Sequence, residues 1–214
     1  AGRKLTLALF ILAAVALVVI VVCGANIGPK ATIADFSAKN IAPCWEHLFG
    51  TDRMGRDMLT RTLAGLATSV LVGLLAASVS SLIALALGTL AALGGKRADA
   101  VVTWLIDLMM GIPHIVLLIL ISYALGKGFW GVTIGVAVTH WPSLTRVVRA
   151  EVLQCRESGF VAVAGKLGVS KVAIAVRHML PFVLPQFLVG LILLFPHAIL
   201  HEAAVTFLGF GLSP

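Results

Sequence analysis

Residues 159–181 read GFVAVAGKLGVSKVAIAVRHMLP. Phe160, Val161, Ala164 and Leu167 recur at helical spacing. Gly168 then offers a helix stop, and Ser170 a cap for a second short segment, Val172 to Met179, which carries Arg177 and His178 among small apolar residues. Leu180-Pro181 opens a new hydrophobic span. The stretch is thus a short helix, a glycine turn and a second short helix, hung between two membrane spans. Phe160, Val161 and Leu167 cost free energy if left in water, so a small-residue knob of this kind asks for a groove in another protein. An ordinary amphipathic loop between membrane helices is the plainer alternative.

The surrounding composition sets the class. Of 214 residues, 60% are hydrophobic and 12% charged, and the mean hydropathy is +1.07. A soluble domain of this size has no use for so much apolar surface, and apolar runs this long mean membrane helices. The net charge of +7 raises nucleic acid as a partner, but the basic residues sit between apolar spans rather than on one face, and membrane topology accounts for them better. Cys23, Cys44 and Cys155 form no spaced framework and predict no disulfide network.

Working outward in chain order, Arg3 and Lys4 precede an unbroken apolar run from Leu5 to Cys23, read as a first membrane helix because it has no clear cleavage site. Gly24 to Arg61 is polar, with turn formers at Gly28, Pro29 and Pro43. Leu66 to Leu93 is a second span, rich in the Ala, Gly and Ser that permit close helix packing. A basic turn, Gly94 to Arg97, leads to a third span, Val101 to Leu125, interrupted by Gly111 and Pro113. A fourth runs from Phe129 to about Val148, and Leu180 to Leu208 forms a fifth. With the N-terminus inside, ten of the sixteen Lys and Arg fall on the cytoplasmic side, together with the 156–179 loop.

Three motifs carry a family resemblance. The spacing Ala162-Val163-Ala164, Gly168, Leu180-Pro181 resembles the cytoplasmic coupling loop of ABC importer permeases, which reads Glu-Ala-Ala, three residues, Gly, and later Leu-Pro. The chain keeps Ala164, Gly168, Leu180 and Pro181 and departs at Ala162, where the family usually has Glu. Ahead of the second span, Phe49-Gly50-Thr51-Asp52, then Gly55-Arg56-Asp57, resembles the second permease subunit of dipeptide, oligopeptide and nickel ABC importers. On residue chemistry alone, Thr51 or Asp52 can cap a helix start and Asp57 can pair with Arg61 at i,i+4, so a charge-laced helix entry competes with direct substrate contact. Thr206 to Leu212, TFLGFGL, is similar to the same subunit's Ser-Phe-Leu-Gly-x-Gly run. The order matches, so the resemblance covers roughly residues 1 to 214.

The resemblance implies an all-α polytopic membrane helix bundle of the ABC importer permease type, with five spans here and a sixth, C-terminal one expected beyond Pro214. It divides the chain into residues 1–61, a membrane helix plus an extracytoplasmic segment, and residues 62–214, a permease domain with its coupling loop at 156–179. It implies docking on an ATPase through Phe160, Val161, Ala164, Gly165, Leu167 and Gly168. The implied partners are a second permease subunit, two ATP-binding subunits, an extracytoplasmic substrate-binding protein and the lipid bilayer. ATP and magnesium enter through the partner subunits, and the chain itself binds no cofactor. It implies the inner (plasma) membrane, multi-pass, with a cytoplasmic N-terminus.

The apolar spans hold a few expensive side chains: Asp107, His114, His140, His197, His201 and Glu202. Such groups face a bundle interior or a water-filled path. His197 and His201 are four apart, on one helix face with Glu202 beside them, which is metal-ligand spacing and equally the spacing of two hydrogen-bonding groups. Pro-His-x-x-x-His ahead of the Phe-Leu-Gly run looks like some nickel-importer permeases, whereas peptide permeases more often have Glu without a paired histidine. This makes nickel or a metal chelate a candidate transient cargo beside short peptides, with His197, His201, Glu202, His114 and Asp107 as candidate pathway or metal residues. An intramembrane metalloenzyme is a rival, but His-Glu-x-x-His fails at Val205, and the chain has neither a phosphate-binding Gly-x-x-x-x-Gly-Lys run nor a nucleophile elbow. A passive channel would not need a docking helix.

Overall fold

The computed structural model describes residues 2–212, less the side chains of Pro29, Lys171 and Val172. Its regular elements are helical, apart from one isolated bridge between Thr51 and Asp57. α1 (Gly2–Ala31) is followed by a 3₁₀ turn at Phe36–Ala38 and by α2 (Met58–Leu93). Then come α3 (Gly95–Gly111), α4 (His114–Ala124), α5 (Gly128–Thr139), α6 (Trp141–Arg156) and α7 (Gly159–Lys166). A single turn, α8 (Lys171–Ile174), runs through a π-helical stretch at Ala175–Met179 into α9 (Leu180–Phe207). This is an all-α polytopic bundle. The described residues divide inside α2, between Leu71 and Val72, into two compact units.

In the first unit the loop before α2 is organised by two aspartates. Asp57 caps α2: its carboxylate accepts the Thr60 N–H at 2.8 Å and the Thr60 hydroxyl at 2.7 Å. It also meets His47 Nδ1 at 3.0 Å. The expected Asp57–Arg61 pair does not form, because a carboxylate committed to its own helix N-terminus is turned away from the residue one turn on. Arg61 reaches back to Asp52 instead, at 2.5 Å. Thr51 and Asp52 are not the cap either. The Thr51 hydroxyl accepts from the Ile41 N–H and donates to the Ala38 carbonyl, tying the two sides of the loop together.

Among the described residues, three helical stretches are long and apolar enough to cross a membrane: Gly2–Gly28, Met58–Leu93 and Ala175–Phe207. A fourth exists only if α3 and α4 count as one span, and they meet at 92°. The interruption expected at Gly111 and Pro113 within the Val101–Leu125 span is therefore a sharp bend between two helices. Pro113 supplies no N–H and holds Ile112 in extended backbone, with φ −95° and ψ 134°. The expected fourth span is corrected. It stops at Thr139 and restarts at Trp141, with Pro142 in the first turn of α6, where a missing N–H is harmless. The segment expected as a separate second helix, Val172–Met179, is one α-turn and a π stretch continuous with α9.

The second unit packs around α6. Its Trp141, Leu144, Val148, Val152 and Cys155 are buried against Ala84 and Ala91 of α2, Val102 and Ile106 of α3, and Val183 and Phe187 of α9. Small residues let the backbones approach. A Cβ at Gly88 would sit 2.8 Å from Val148 Cβ and 2.9 Å from the Thr145 carbonyl. A second cluster joins Val72 and Ala76 to Leu118, Val132, Val136, Ala198 and Val205.

Candidate functional site

The two backbone breaks and α9 converge on one cavity of about 740 Å³. His114 lines it from the first turn of α4, just past the 92° bend. His140 lines it from the junction of α5 and α6, and His197 and His201 line it from α9. Met109, Pro113, Leu144 and Leu194 supply apolar wall.

The four imidazoles touch. Ring centroids lie 4.5 Å apart for His114 and His140, 4.6 Å for His114 and His201, and 4.8 Å for His140 and His201. His197 stands 4.8 Å from His201 and 5.9 Å from His140. His140 is buried, and its Nδ1 lies 2.8 Å from the Val136 carbonyl. A carbonyl only accepts, so the proton is on Nδ1 and the Nε2 lone pair points outward, at His201 Nδ1, 3.3 Å away. Sequence spacing supplied the His197–His201 pair. It did not join His140 to that pair, because their meeting depends on the two breaks and no local pattern reports it.

Neither of the two acids expected beside the histidines lines the cavity. Glu202 is buried and accepts the Thr206 hydroxyl at 2.8 Å. Thr206 Oγ1 in turn accepts the Leu212 N–H at 3.2 Å, so Glu202 braces the 206–212 turn. Asp107 is largely exposed and pairs with Arg146 at 3.1 Å. Among the ion pairs that went unforeseen, Arg149 grips Asp99 through both carboxylate oxygens.

The α7 knob has two faces. Val161 and Ala164 are buried in the chain's own core with Cys155, Ile174 and Met179. Phe160, Val163 and Leu167 point outward, Leu167 being 77% exposed. The helix ends in a Schellman turn. The Gly168 N–H donates to the Gly165 carbonyl and the Val169 N–H to the Ala164 carbonyl, both at 3.1 Å, with Gly168 at φ +79°. Ser170 then caps the next turn by accepting the Ala173 N–H at 3.2 Å.

In the loop ahead of α2, Asp52 gathers the Met54 N–H at 2.8 Å, the Arg56 N–H at 3.0 Å and the Arg56 Nε at 2.8 Å. Burial alone would raise its pKa, but these donors and the Arg56 charge hold it well below the usual carboxylate range. Gly50 and Gly55 turn the loop at φ +69° and +74°.

Residues 84–214 match the family of the binding-protein-dependent transport system inner membrane component. The chain belongs to this family. The cavity, α7 and the 206–212 turn of this inner membrane component all lie within the matched residues. The chain is 37% identical over 180 residues to a protein named as a peptide permease in Brucella abortus, covering 84% of this chain and 60% of that one. It is 38% identical over 203 residues to one named as a peptide transport system permease in Brucella suis, covering 92% and 68%. It is 33% identical over 213 residues to the dipeptide transport system permease protein DppC of Bacillus subtilis, covering 99% and 66%. This inner membrane component spans about 60% of the length of the Brucella abortus relative.

Proposed function

We propose that the chain is a transmembrane permease subunit of an ATP-driven importer for short peptides, working by alternating access. The observation that carries this is α7, which anchors Val161 and Ala164 in the bundle and offers Phe160, Val163 and Leu167 outward. An apolar helical face held at a fixed angle suits docking on another subunit. On this reading the docking partners are two ATP-binding subunits, which hydrolyse ATP with magnesium. A second permease completes the pathway, and an extracytoplasmic binding protein delivers the cargo. The chain is multi-pass in the inner membrane with its N-terminus cytoplasmic, and it catalyses no reaction itself. A short peptide as cargo is supported by the names of the relatives. The cavity volume of about 740 Å³ also falls in the small-ligand range of about 300–1,000 Å³.

A second cargo reading, nickel or a metal chelate in transit, is favoured by the imidazoles on the cavity wall. Uptake of a radiolabelled dipeptide and of radiolabelled nickel, each by cells with and without the chain, separates the two. Leu167→Asp should leave the chain in the membrane yet stop uptake and release the ATP-binding subunits. Normal uptake by that variant would remove the docking assignment.

A further inference from the structure

The four-histidine cluster admits a sharper statement than a cargo path. We propose that His114, His140 and His201 form a binding site for one divalent transition-metal ion of the imidazole-preferring kind, such as nickel or zinc.

Each of the three offers one ligand nitrogen, and these nitrogens lie within 4.8 Å of one another. Nitrogens bound at about 2.0–2.1 Å to a tetrahedral ion stand about 3.3–3.4 Å apart. His140 Nε2 and His201 Nδ1 already have that separation, 3.3 Å. The Val136 carbonyl holds the His140 proton on Nδ1, the outer-sphere arrangement that orients a ligating imidazole. His114 Nε2 is buried with no hydrogen-bond partner among the described residues. A buried nitrogen left so is costly, and a metal bond satisfies it.

His201 needs one adjustment. Its Nδ1 lies 2.9 Å from the His197 carbonyl and so carries the proton. On binding, that proton moves to Nε2 and the Nδ1 lone pair goes to the ion. The imidazole stays neutral and no net proton is released.

The donor set selects the ion. The two nearby acids are engaged elsewhere, Glu202 with Thr206 and Asp107 with Arg146. Three neutral imidazoles suit nickel, zinc or copper, whereas magnesium and calcium require oxygen ligands. The fourth position faces the cavity, so the ion is exchangeable. Its three protein ligands come from the start of α4, the α5–α6 junction and α9, so a bound ion fastens three separate elements.

The proposal deepens the metal reading of the cavity but is measured apart from it: equilibrium binding by the purified chain and uptake by cells can each fail alone. The test titrates the chain, purified in detergent micelles, with Co²⁺ as an optical probe, followed by competition with Ni²⁺, Zn²⁺ and Mg²⁺. The expected result is tetrahedral cobalt absorption saturating at one ion per chain, displaced by Ni²⁺ and Zn²⁺ and not by Mg²⁺, with a higher melting temperature when the ion is bound. His114→Gln, His140→Gln and His201→Gln should each weaken binding at least about tenfold, the smallest loss seen even for outer-sphere partners. His114→Gln is the most informative, because its Nε2 makes no hydrogen bond whose loss would disturb the fold. Its metal-free melting temperature should match the wild type, while the metal-induced rise disappears. A folded wild type that binds no cobalt, wild-type affinity in His114→Gln, or equal competition by Mg²⁺ would each overturn the site.

Discussion

The guanidinium of Arg149 grips the carboxylate of Asp99 through two bonds, 2.6 and 2.7 Å long, across fifty positions of sequence. The fork locks the N-terminal part of α3 against α6, with about a third of each side chain still exposed. A planar fork is what Arg offers and Lys does not. Arg149→Lys should therefore destabilise the unit even though the charge is kept. A double-mutant cycle with Asp99→Asn should return a coupling of about 1 kcal/mol in thermal unfolding. The neighbouring Asp107–Arg146 pair is a built-in control. It makes one bond of 3.1 Å with side chains 62% and 52% exposed, and its coupling should be near zero. Equal couplings for the two pairs would contradict this ranking.

At Gly168 the backbone sits at φ +79° with no atom within 4 Å of where a Cβ would go. Any effect of substitution there is conformational rather than steric. Gly168→Ala should cost about 1–2 kcal/mol in the turn, and Gly168→Asn less, because Asn tolerates this region. Transport should follow the same order, with Gly168→Asp abolishing it and loosening the ATP-binding subunits while the chain stays in the membrane. Uptake that ignores the order would break the link between this turn and docking.

The pH response of the 50–57 loop follows from Asp52. Its folded pKa is depressed, so its contribution is complete above the unfolded value of about 3.9 and is lost as pH falls from there toward the folded value. Asp57 is shifted the same way: burial would raise it, but the Thr60 N–H and hydroxyl and His47 lower it. Amide exchange of residues 50–57 should be flat from pH 7 to 5, once corrected for intrinsic rates, and accelerate below about pH 4. Asp52→Asn should raise exchange at every pH and leave only the weaker dependence due to Asp57. A loop that loosens between pH 7 and 5 would show another group in control.

Topology has a direct measurement. Lys39 and Lys166 are both exposed. Single cysteines placed there should react with an impermeant thiol reagent from opposite sides of the membrane, position 166 from the cytoplasm. Labelling of both from outside would overturn the orientation.

What the sequence revealed was what it encodes locally. α1, α2 and α9 announce themselves by apolar length. The α7–Gly168–Ser170 turn does so by helical spacing, a left-handed glycine and a hydroxyl cap. The interruption at Gly111 and Pro113 was legible but its 92° angle was not, and the break at His140 was not legible at all, because proline alone does not decide such breaks. Pro185 and Pro196 ride inside α9, which runs unbroken from Leu180 to Phe207, while Pro113 and Pro142 stand at interruptions. The difference lies in whether neighbouring helices satisfy the freed carbonyls, which is tertiary information. The unread angle at Pro113 and the unread break at His140 hid the meeting of His114 and His140 with His201. The loop ahead of α2 misled for the opposite reason: the Asp57–Arg61 spacing is a helical rule applied to a residue that is itself the cap.

α6 starts one residue after His140 and ends three before α7, with no loop longer than two residues at the α7 end. Its 16 residues make a stiff shaft about 24 Å long. On the docking reading proposed above, a push on the outward face of α7 would reach the cavity as a tilt of that shaft. Pivoting one end by about 10° swings the other by about 4 Å over that length, more than the 3.3 Å that separates His140 from His201. On that reading the spacing of the imidazole trio would report the shaft's angle.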